Sequence, residues 1–256
     1  MRKLLFLILY LMLVCSPVQA GVDFDGVDDT IDIASTLGID VDGVGAMVCR
    51  IYIQDTAESG AFFHIGEATG ACPGDDGFAI GVGSGTFDSD GNEAIGLKSC
   101  IGWCDGNDAI GTGWHTVGFN WNTPAGNFVE AFIDGVSGTS YTCGDPATAQ
   151  NSSTIGGEGS GARNFDGIIS WCAAWNATLG ADEHLNLHNP KNARIALQIK
   201  PGNLKGLYVL DDCADGSACN GTSFTDMSST RANGTGNDGA DNSGLTGSAE
   251  PELSYP

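Results

Sequence analysis

Positive charge is what this 256-residue chain has least of. Ten Lys and Arg stand against 32 Asp and Glu, a formal charge of −22 at neutral pH. So acidic a surface repels phosphate backbones and anionic bilayers, which excludes nucleic acid as a partner. Divalent cations, neutral glycans and basic protein surfaces remain, and the same charge also serves solubility in a salty medium. Long apolar runs are missing after the first twenty residues, so no membrane span is expected there. Internal repeats are missing, and so is a linker long enough to divide the remainder into two domains.

Catalytic signatures are missing too. A retaining glycosidase needs two carboxylates about 5 Å apart on one face. Here Glu58, Glu67, Glu93, Glu130, Glu158 and Glu183 are scattered, and Glu130 has no acidic residue two positions away. No G-x-S-x-G elbow and no H-E-x-x-H helix occur. His64, His115, His184 and His188 stand in no triad context. The expectation is a protein that is not an enzyme.

What is present begins with a leader. Arg2-Lys3 forms a charged n-region, residues 4–14 an apolar stretch, and Val18-Gln19-Ala20 a cleavage site before Gly21. This is the pattern of a secretory signal peptide over residues 1–20. Val14 is too large for lipidation of Cys15. The expected mature chain, 21–256, is secreted and long enough for one β-sandwich domain.

Eight cysteines follow the leader: Cys49, Cys72, Cys100, Cys104, Cys143, Cys172, Cys213 and Cys219. An even count in a secreted chain suggests disulfides, although eight cysteines allow 105 pairings. Cys100 with Cys104, and Cys213 with Cys219, are spaced to close small loops. Cys49 and Cys172 each lie in a strand-like run, so a bridge between strands is conceivable. Zinc is the rival reading, without C-x2-C spacing or a matching His pair to support it.

Short alternating or β-branched runs bounded by Gly, Asp and Asn predict many strands joined by turns. They fall at 30–34, 46–53, 61–65, 78–82, 94–98, 115–121, 128–133, 153–155, 168–175 and 204–210. Asp134-Gly135 predicts a tight turn after 128–133. One short helix is predicted over 181–188, with Asp182-Glu183 in its first turn and Asn189-Pro190 at its end. Their spacing suits an all-β sandwich. Residues 234–256 are rich in Gly, Asn, Asp and Ser and are expected to form a disordered tail.

Several phrases occur in a telling order. They are Phe24-Asp25-Gly26-Val27-Asp28-Asp29, Gly113-Trp114-His115, Phe132-Ile133-Asp134-Gly135, Ile155-Gly156-Gly157, Phe165-Asp166-Gly167-Ile168-Ile169 and Trp175 to Glu183. In this order the chain resembles the laminin-G-like, concanavalin-A-like jelly-roll family. The resemblance implies a two-sheet antiparallel jelly roll with one short helix near the C-terminal side. Ser170 stands where relatives commonly carry an acid. An element many relatives place first appears last here, as Leu204 to Asp212, Asp226-Met227-Ser228 and Gly234-Thr235-Gly236. The chain therefore resembles a circular permutation, with 204–256 supplying a strand of the same sandwich plus the tail.

Three groups are candidate sites. Asp88-Ser89-Asp90-Gly91-Asn92 alternates oxygen ligands around a Gly turn, like the opening of a calcium loop, with Asp88, Asp90 and Asn92 as ligands. A solvated acidic hairpin is the other reading. The resemblance implies a second ion near the terminal strands, with Asp226 beside Asp25 or Asp166. Trp103 sits between Cys100 and Cys104 before Asp105 and Asn107, a polar loop suited to ligand contact or to packing on a disulfide. Trp114 and Trp175, in motif positions, are assigned to the core. His115, likewise in a motif, is assigned a structural role. The functional expectation is a secreted carbohydrate- or protein-binding adhesion module, with calcium as its cofactor. The alternatives are a self-associating subunit of a filament, surface layer or virion appendage, and a polysaccharide-active enzyme.

Overall fold

The computed structural model describes residues 20–56, 60–66, 77–83, 95–99, 102–104, 109–126, 128–142, 152–157, 164–189, 193–213, 217–238 and 246–249. The leader, residues 1–19, lies outside them. The strands are β1 (Ala20–Asp25), β2 (Asp29–Ile33), β3 (Val44–Ile53), β4 (Gly60–Gly66), β5 (Gly77–Val82), β6 (Ile95–Ser99), β7 (Gly102–Cys104) and β8 (Gly113–Asn122). Then come β9 (Phe128–Ile133), β10 (Val136–Thr142), β11 (Ser152–Ile155), β12 (Asp166–Trp175), the helix α1 (Ala181–His188), β13 (Leu204–Val209), β14 (Ser223–Phe224), β15 (Gly234–Asp238) and β16 (Thr246–Ala249). No helix among the described residues is long and apolar enough to cross a membrane.

The strands form two antiparallel sheets, the jelly-roll sandwich that the strand spacing and motif order predict. Sheet A runs β10-β9-β8-β3-β12-β1-β16, with β13 also paired to β12; sheet B runs β14-β15-β2-β11-β4-β5-β6-β7. β12 organises sheet A. One side of it pairs with β3 along nearly its whole length. The other side is shared: Asp166–Ile169 pair with β1, and Trp171–Trp175 pair with β13. N-terminal and C-terminal segments thus lie end to end along one strand.

The core lies between the sheets because side chains alternate along each strand. Met47, Cys49, Ile51 and Ile53 of β3 point inward with Val117, Phe119 and Trp121 of β8 and Val22 and Phe24 of β1. Ile31, Ile33, Phe63, Ile65, Phe78 and Ile80 of sheet B meet them, and the Phe78 and Trp121 rings are 5.4 Å apart across the interface. Each such side chain contributes roughly 1.5–3 kcal/mol by leaving water.

The motifs meet in this core. Phe24 of the first F-D-G phrase packs on Gly156 of I-G-G, where a Cβ would sit 2.1 Å from Cε1 of Phe24. Gly156 also has φ of 89°, which an L side chain rarely adopts. Asp25 and Asp166 of the two F-D-G phrases are direct cross-strand partners.

A second apolar layer covers part of the outer face of sheet A. Trp171 and Trp175 of β12 are fully buried there with Val48, Leu179, Leu187 and Leu204. Trp175 Nε1 donates to the carbonyl of Ile199 at 2.9 Å. Asn120 locks the approach to α1 by donating to Leu179 O at 2.8 Å and accepting from Leu179 N at 2.9 Å. His184 stacks on Phe132, with centroids 3.7 Å apart. Burial, aided by the Lys200 charge, lowers its pKa to about 3, so it is a neutral core residue.

Two expectations change. The stretch 234–256 is not tail throughout: Gly234–Asp238 pairs with β2 and Thr246–Ala249 with β1. Backbone bonding needs no particular side chain, and Gly234 lies where a Cβ would come within 2.6 Å of Ile31 Cγ2. Composition alone therefore misreads it. Trp114 also differs from expectation. Trp175 is fully buried, but Trp114 is only partly buried, because it sits on the outer face of β8 beyond the reach of α1.

Cys49 and Cys172 are direct partners across β3 and β12, with Cα atoms 4.1 Å apart, and are bonded inside the core. Cys213 and Cys219 close a small loop. These four thiols are thereby removed from any zinc site. Cys72, Cys100 and Cys143 lie outside the described residues, and Cys104 lies in β7. Replacing Cys49 and Cys172 together by Ala is expected to cost about 2–5 kcal/mol, because the bridge spans 123 residues of sequence. Urea unfolding of the double variant against the parent measures this, and an unchanged midpoint would contradict it.

Candidate functional site

The turn between β1 and β2 gathers carboxylates. Asp25, Asp28 and Asp29 each place one ligand oxygen within 4.8 Å of the other two. The local chain explains why. Gly26 takes φ of 76°, and the Val27 N–H donates to Asp25 Oδ1 at 2.8 Å, which folds the turn back on itself. The Asp25 N–H donates to Asp29 Oδ2 at 2.9 Å, and Asn164 Nδ2 donates to the Val27 carbonyl. Asp29 is fully buried. Hard oxygen ligands on a tight turn suit a divalent cation such as calcium or magnesium, so this group can hold a metal ion.

More acid surrounds it. Asp166 lies across from Asp25, and Asp23 shares their face of the sheet. Burial, then the charges of Asp166 and Asp25, hold the Asp23 carboxyl above its ordinary range. The sequence quotes Asp28 and Asp29 only as part of a fold motif. The signal that would reveal them is three carboxylates within five residues around a Gly turn.

Asp226 has a different setting. It is fully buried beside β13, and four donors surround its oxygens. Leu207 N and Ser228 N donate to Oδ1 at 3.0 and 2.8 Å; Ser228 Oγ and Ala232 N donate to Oδ2, both at 2.9 Å. These bonds fasten the loop after β14 to β13, and Asp226 does not join the group at Asp25, Asp28 and Asp29. Burial, then the Asp226 charge, raises the pKa of Tyr208, whose hydroxyl donates to the Ala232 carbonyl. In the D-x-S phrase one buried carboxylate accepts all four of these bonds.

Of the other sequence-based candidates, Asp88, Asp90, Asn92, Asp105 and Asn107 lie outside the described residues. Trp103 is in β7, paired with Lys98 of β6 at the edge of sheet B.

His115 and Asp134 form a pair that sequence alone does not reveal. His115 Nδ1 is 3.0 Å from Asp134 Oδ2, and His188 Nδ1 is 3.4 Å from Oδ1. The Thr116 N–H donates to Oδ1 at 2.9 Å. Asp134 occupies the β9–β10 turn with φ of 53°. The pair resembles a base with its orienting acid, but the other His115 nitrogen, Nε2, is buried and makes no hydrogen bond. The trio ties the turn to β8 and to the end of α1.

No protein-family profile matches the chain, and no curated protein matches it. Solved structures do. A Bacteroides ovatus protein provisionally assigned as carbohydrate-binding superposes with a TM-score of 0.60 at 15% identity, over 91% of this chain. The chain spans 60% of that protein's length. The carbohydrate-binding module CBM40 of a Ruminococcus gnavus sialidase, bound to α2,3-sialyllactose, gives a TM-score of 0.52 at 13% identity, over 66% of this chain and 96% of the module. A heptameric pentraxin of Limulus polyphemus gives 0.50 at 12%, over 68% of this chain and 84% of its own. At these identities the likeness establishes the fold: a lectin-like jelly roll.

Two outcomes test this geometry. For Asp134, burial works against ionisation, but the His115 and Thr116 hydrogen bonds and the His115 and His188 charges outweigh it and lower the pKa. Its stabilisation is present above the ordinary carboxylate range near pH 4 and is lost as pH falls through the lower folded value. Asp134→Asn is expected to lower stability at pH 7 by less than about 1 kcal/mol, since the pair is partly exposed. The gap should close in acid, as read by melting curves across pH. Asp226→Ala should cost about 3 kcal/mol with or without EDTA, because it strands buried donors. A loss that appears only in the presence of calcium would show Asp226 to be a ligand instead.

Proposed function

We propose that this chain is a secreted, non-enzymatic carbohydrate-binding module of the laminin-G-like type, acting in adhesion to glycan. The observation that carries the reading is the lectin-like sandwich itself. It superposes over 91% of the chain on a protein assigned to carbohydrate binding, and over 66% on a module bound to a sialylated sugar. The two disulfides among the described residues support an oxidising, extracellular setting. β13 lying end to end with β1 on β12 supports the permuted arrangement. Calcium is the proposed cofactor, held by Asp25, Asp28 and Asp29, with Asp88, Asp90 and Asn92 as a second proposed loop. Trp103, Asp105 and Asn107, the ligand contacts expected from sequence, are one candidate surface for the glycan, to be weighed against others on the sandwich.

A second reading, self-association, draws on β10. Among the described residues this seven-residue strand is the last of sheet A, and it carries no charge in a strongly acidic chain, so a second copy can approach it without repulsion. Light scattering on the mature protein separates the two, and a stable monomer removes the filament idea.

A glycan array run with calcium and with EDTA tests the main reading. Binding to at least one glycan is expected, weakened when EDTA strips the ion. Silence on every glycan in calcium would sink it.

A further inference from the structure

The helix and the outer turns cover only part of the outer face of sheet A. The other part, where β1, β3, β8 and β12 run side by side, carries an aromatic pair. Tyr52 of β3 and Trp114 of β8 are cross-strand partners with ring centroids 5.5 Å apart. Both are partly exposed. Arg50, two residues before Tyr52 on the same face, is buried and holds its guanidinium carbon 5.0 Å from the Trp114 ring centre. This cation–π contact fixes the orientation of the indole.

The register continues across the sheet. Ile168 is the partner of Tyr52, and Asp23 is the partner of Ile168. Asp23 therefore lies two strand spacings from Tyr52, about 10 Å away on the same face. Gln54, exposed and just past the end of β3, reaches over this gap and places its Nε2 3.5 Å from Asp23 Oδ1. One face thus presents a fixed aromatic surface, an apolar floor at Ile168, and an amide and a carboxylate at the far side.

We propose that Tyr52, Trp114, Gln54 and Asp23 form the glycan-binding surface, and that its ligand is a neutral oligosaccharide. The proposal rests on the carbohydrate-binding reading and names the site and ligand class for it. Sugar rings carry apolar C–H faces and polar edges. The C–H face packs on the aromatic pair, whose rings offer large apolar area and little conformational freedom to lose. The hydroxyls then donate to the Asp23 carboxylate and accept from the Gln54 amide, replacing a long contact between those two groups. The span from Tyr52 to Asp23 exceeds one pyranose ring, which calls for a chain of sugars. Asp25 and Asp166 stand beside Asp23, so an acidic sugar is repelled. The acidic turn that can hold a cation begins at Asp25 and lies at the far end of this surface.

The test uses the full chain with Tyr52→Ala, Tyr52→Phe, Gln54→Ala and Asp23→Asn, and Trp103→Ala for the rival loop. The probes are neutral cello-, manno-, xylo- and arabino-oligosaccharides and sialyllactose, titrated calorimetrically, with melting curves for each variant. Tyr52→Ala and Asp23→Asn should each weaken binding of the best neutral probe about tenfold, which is 1.4 kcal/mol. Gln54→Ala should weaken it less, and Tyr52→Phe should keep it, since the ring face remains. Trp103→Ala should leave it unchanged, and sialyllactose should bind more weakly than the best neutral probe. Gln54 is exposed and Tyr52→Phe is conservative, so the outcome does not hinge on one variant that fails to fold. Neutral binding that survives Tyr52→Ala, Gln54→Ala and Asp23→Asn, or is lost only with Trp103→Ala, overturns this surface and leaves the carbohydrate reading standing. Equal or tighter binding of sialyllactose overturns the ligand class. Self-association abolished by Tyr52→Ala reassigns the patch to contact between copies. Binding of no probe in calcium overturns the surface and the carbohydrate reading together.

Discussion

Cys172 faces Cys49 across the pairing of β12 with β3, and the rest of the sandwich is arranged around that pair of strands. β12 is buried on both faces: Ile169, Cys172 and Ala174 point into the space between the sheets, while Trp171, Ala173 and Trp175 point into the second layer. A strand in that position cannot slip by one residue. The shift would drive two indoles into a packed core and pull the disulfide out of it. Its pairing with β3 fixes β8 and β9 on one side. Its other side fixes β1 and β13, and so brings two strands far apart in the sequence end to end.

That constraint also decides where chemistry can sit. The half of sheet A under α1 is closed by Leu179, Leu187 and Leu204, and Asn120 and the Trp175 indole there are bonded to backbone. The other half lies beyond the helix, and there the same alternation that hides Trp171 brings Tyr52 and Trp114 outward. The two F-D-G phrases meet at the β1 edge of this half because β1 and β12 pair in register, Asp25 against Asp166. Turn motifs that look like scaffold in one dimension thus deliver carboxylates to one place in three.

Much of the fold was legible because period-two alternation is a local property. The runs at 46–53, 115–121, 128–133 and 168–175 are β3, β8, β9 and β12 to within two residues, and the predicted helix at 181–188 coincides with α1. The short strands after residue 230 were not legible. β15 and β16 consist largely of Gly, Asn, Asp, Ser and Thr, and their partners, β2 and β1, lie some two hundred residues earlier. Nothing in the neighbouring sequence signals those partners. The candidate site was less legible still. Asp226 carries the same carboxylate whether it binds an ion or four hydrogen-bond donors. The donors that surround it here come from Leu207, Ser228 and Ala232, and nothing in the sequence near Asp226 shows that Leu207 would pack against it.

The sequence by itself determined the all-β architecture, the acidity that turns phosphate away, and the cysteines able to bridge, since these depend on composition and short-range pattern. The tertiary structure decided which cysteines meet, which tryptophan is core and which is surface, and which acids share a face. Those choices depend on register between strands far apart in the chain. A cross-strand neighbour such as Trp114 for Tyr52, or Asp166 for Asp25, is set by the whole sheet and by no stretch of sequence within it.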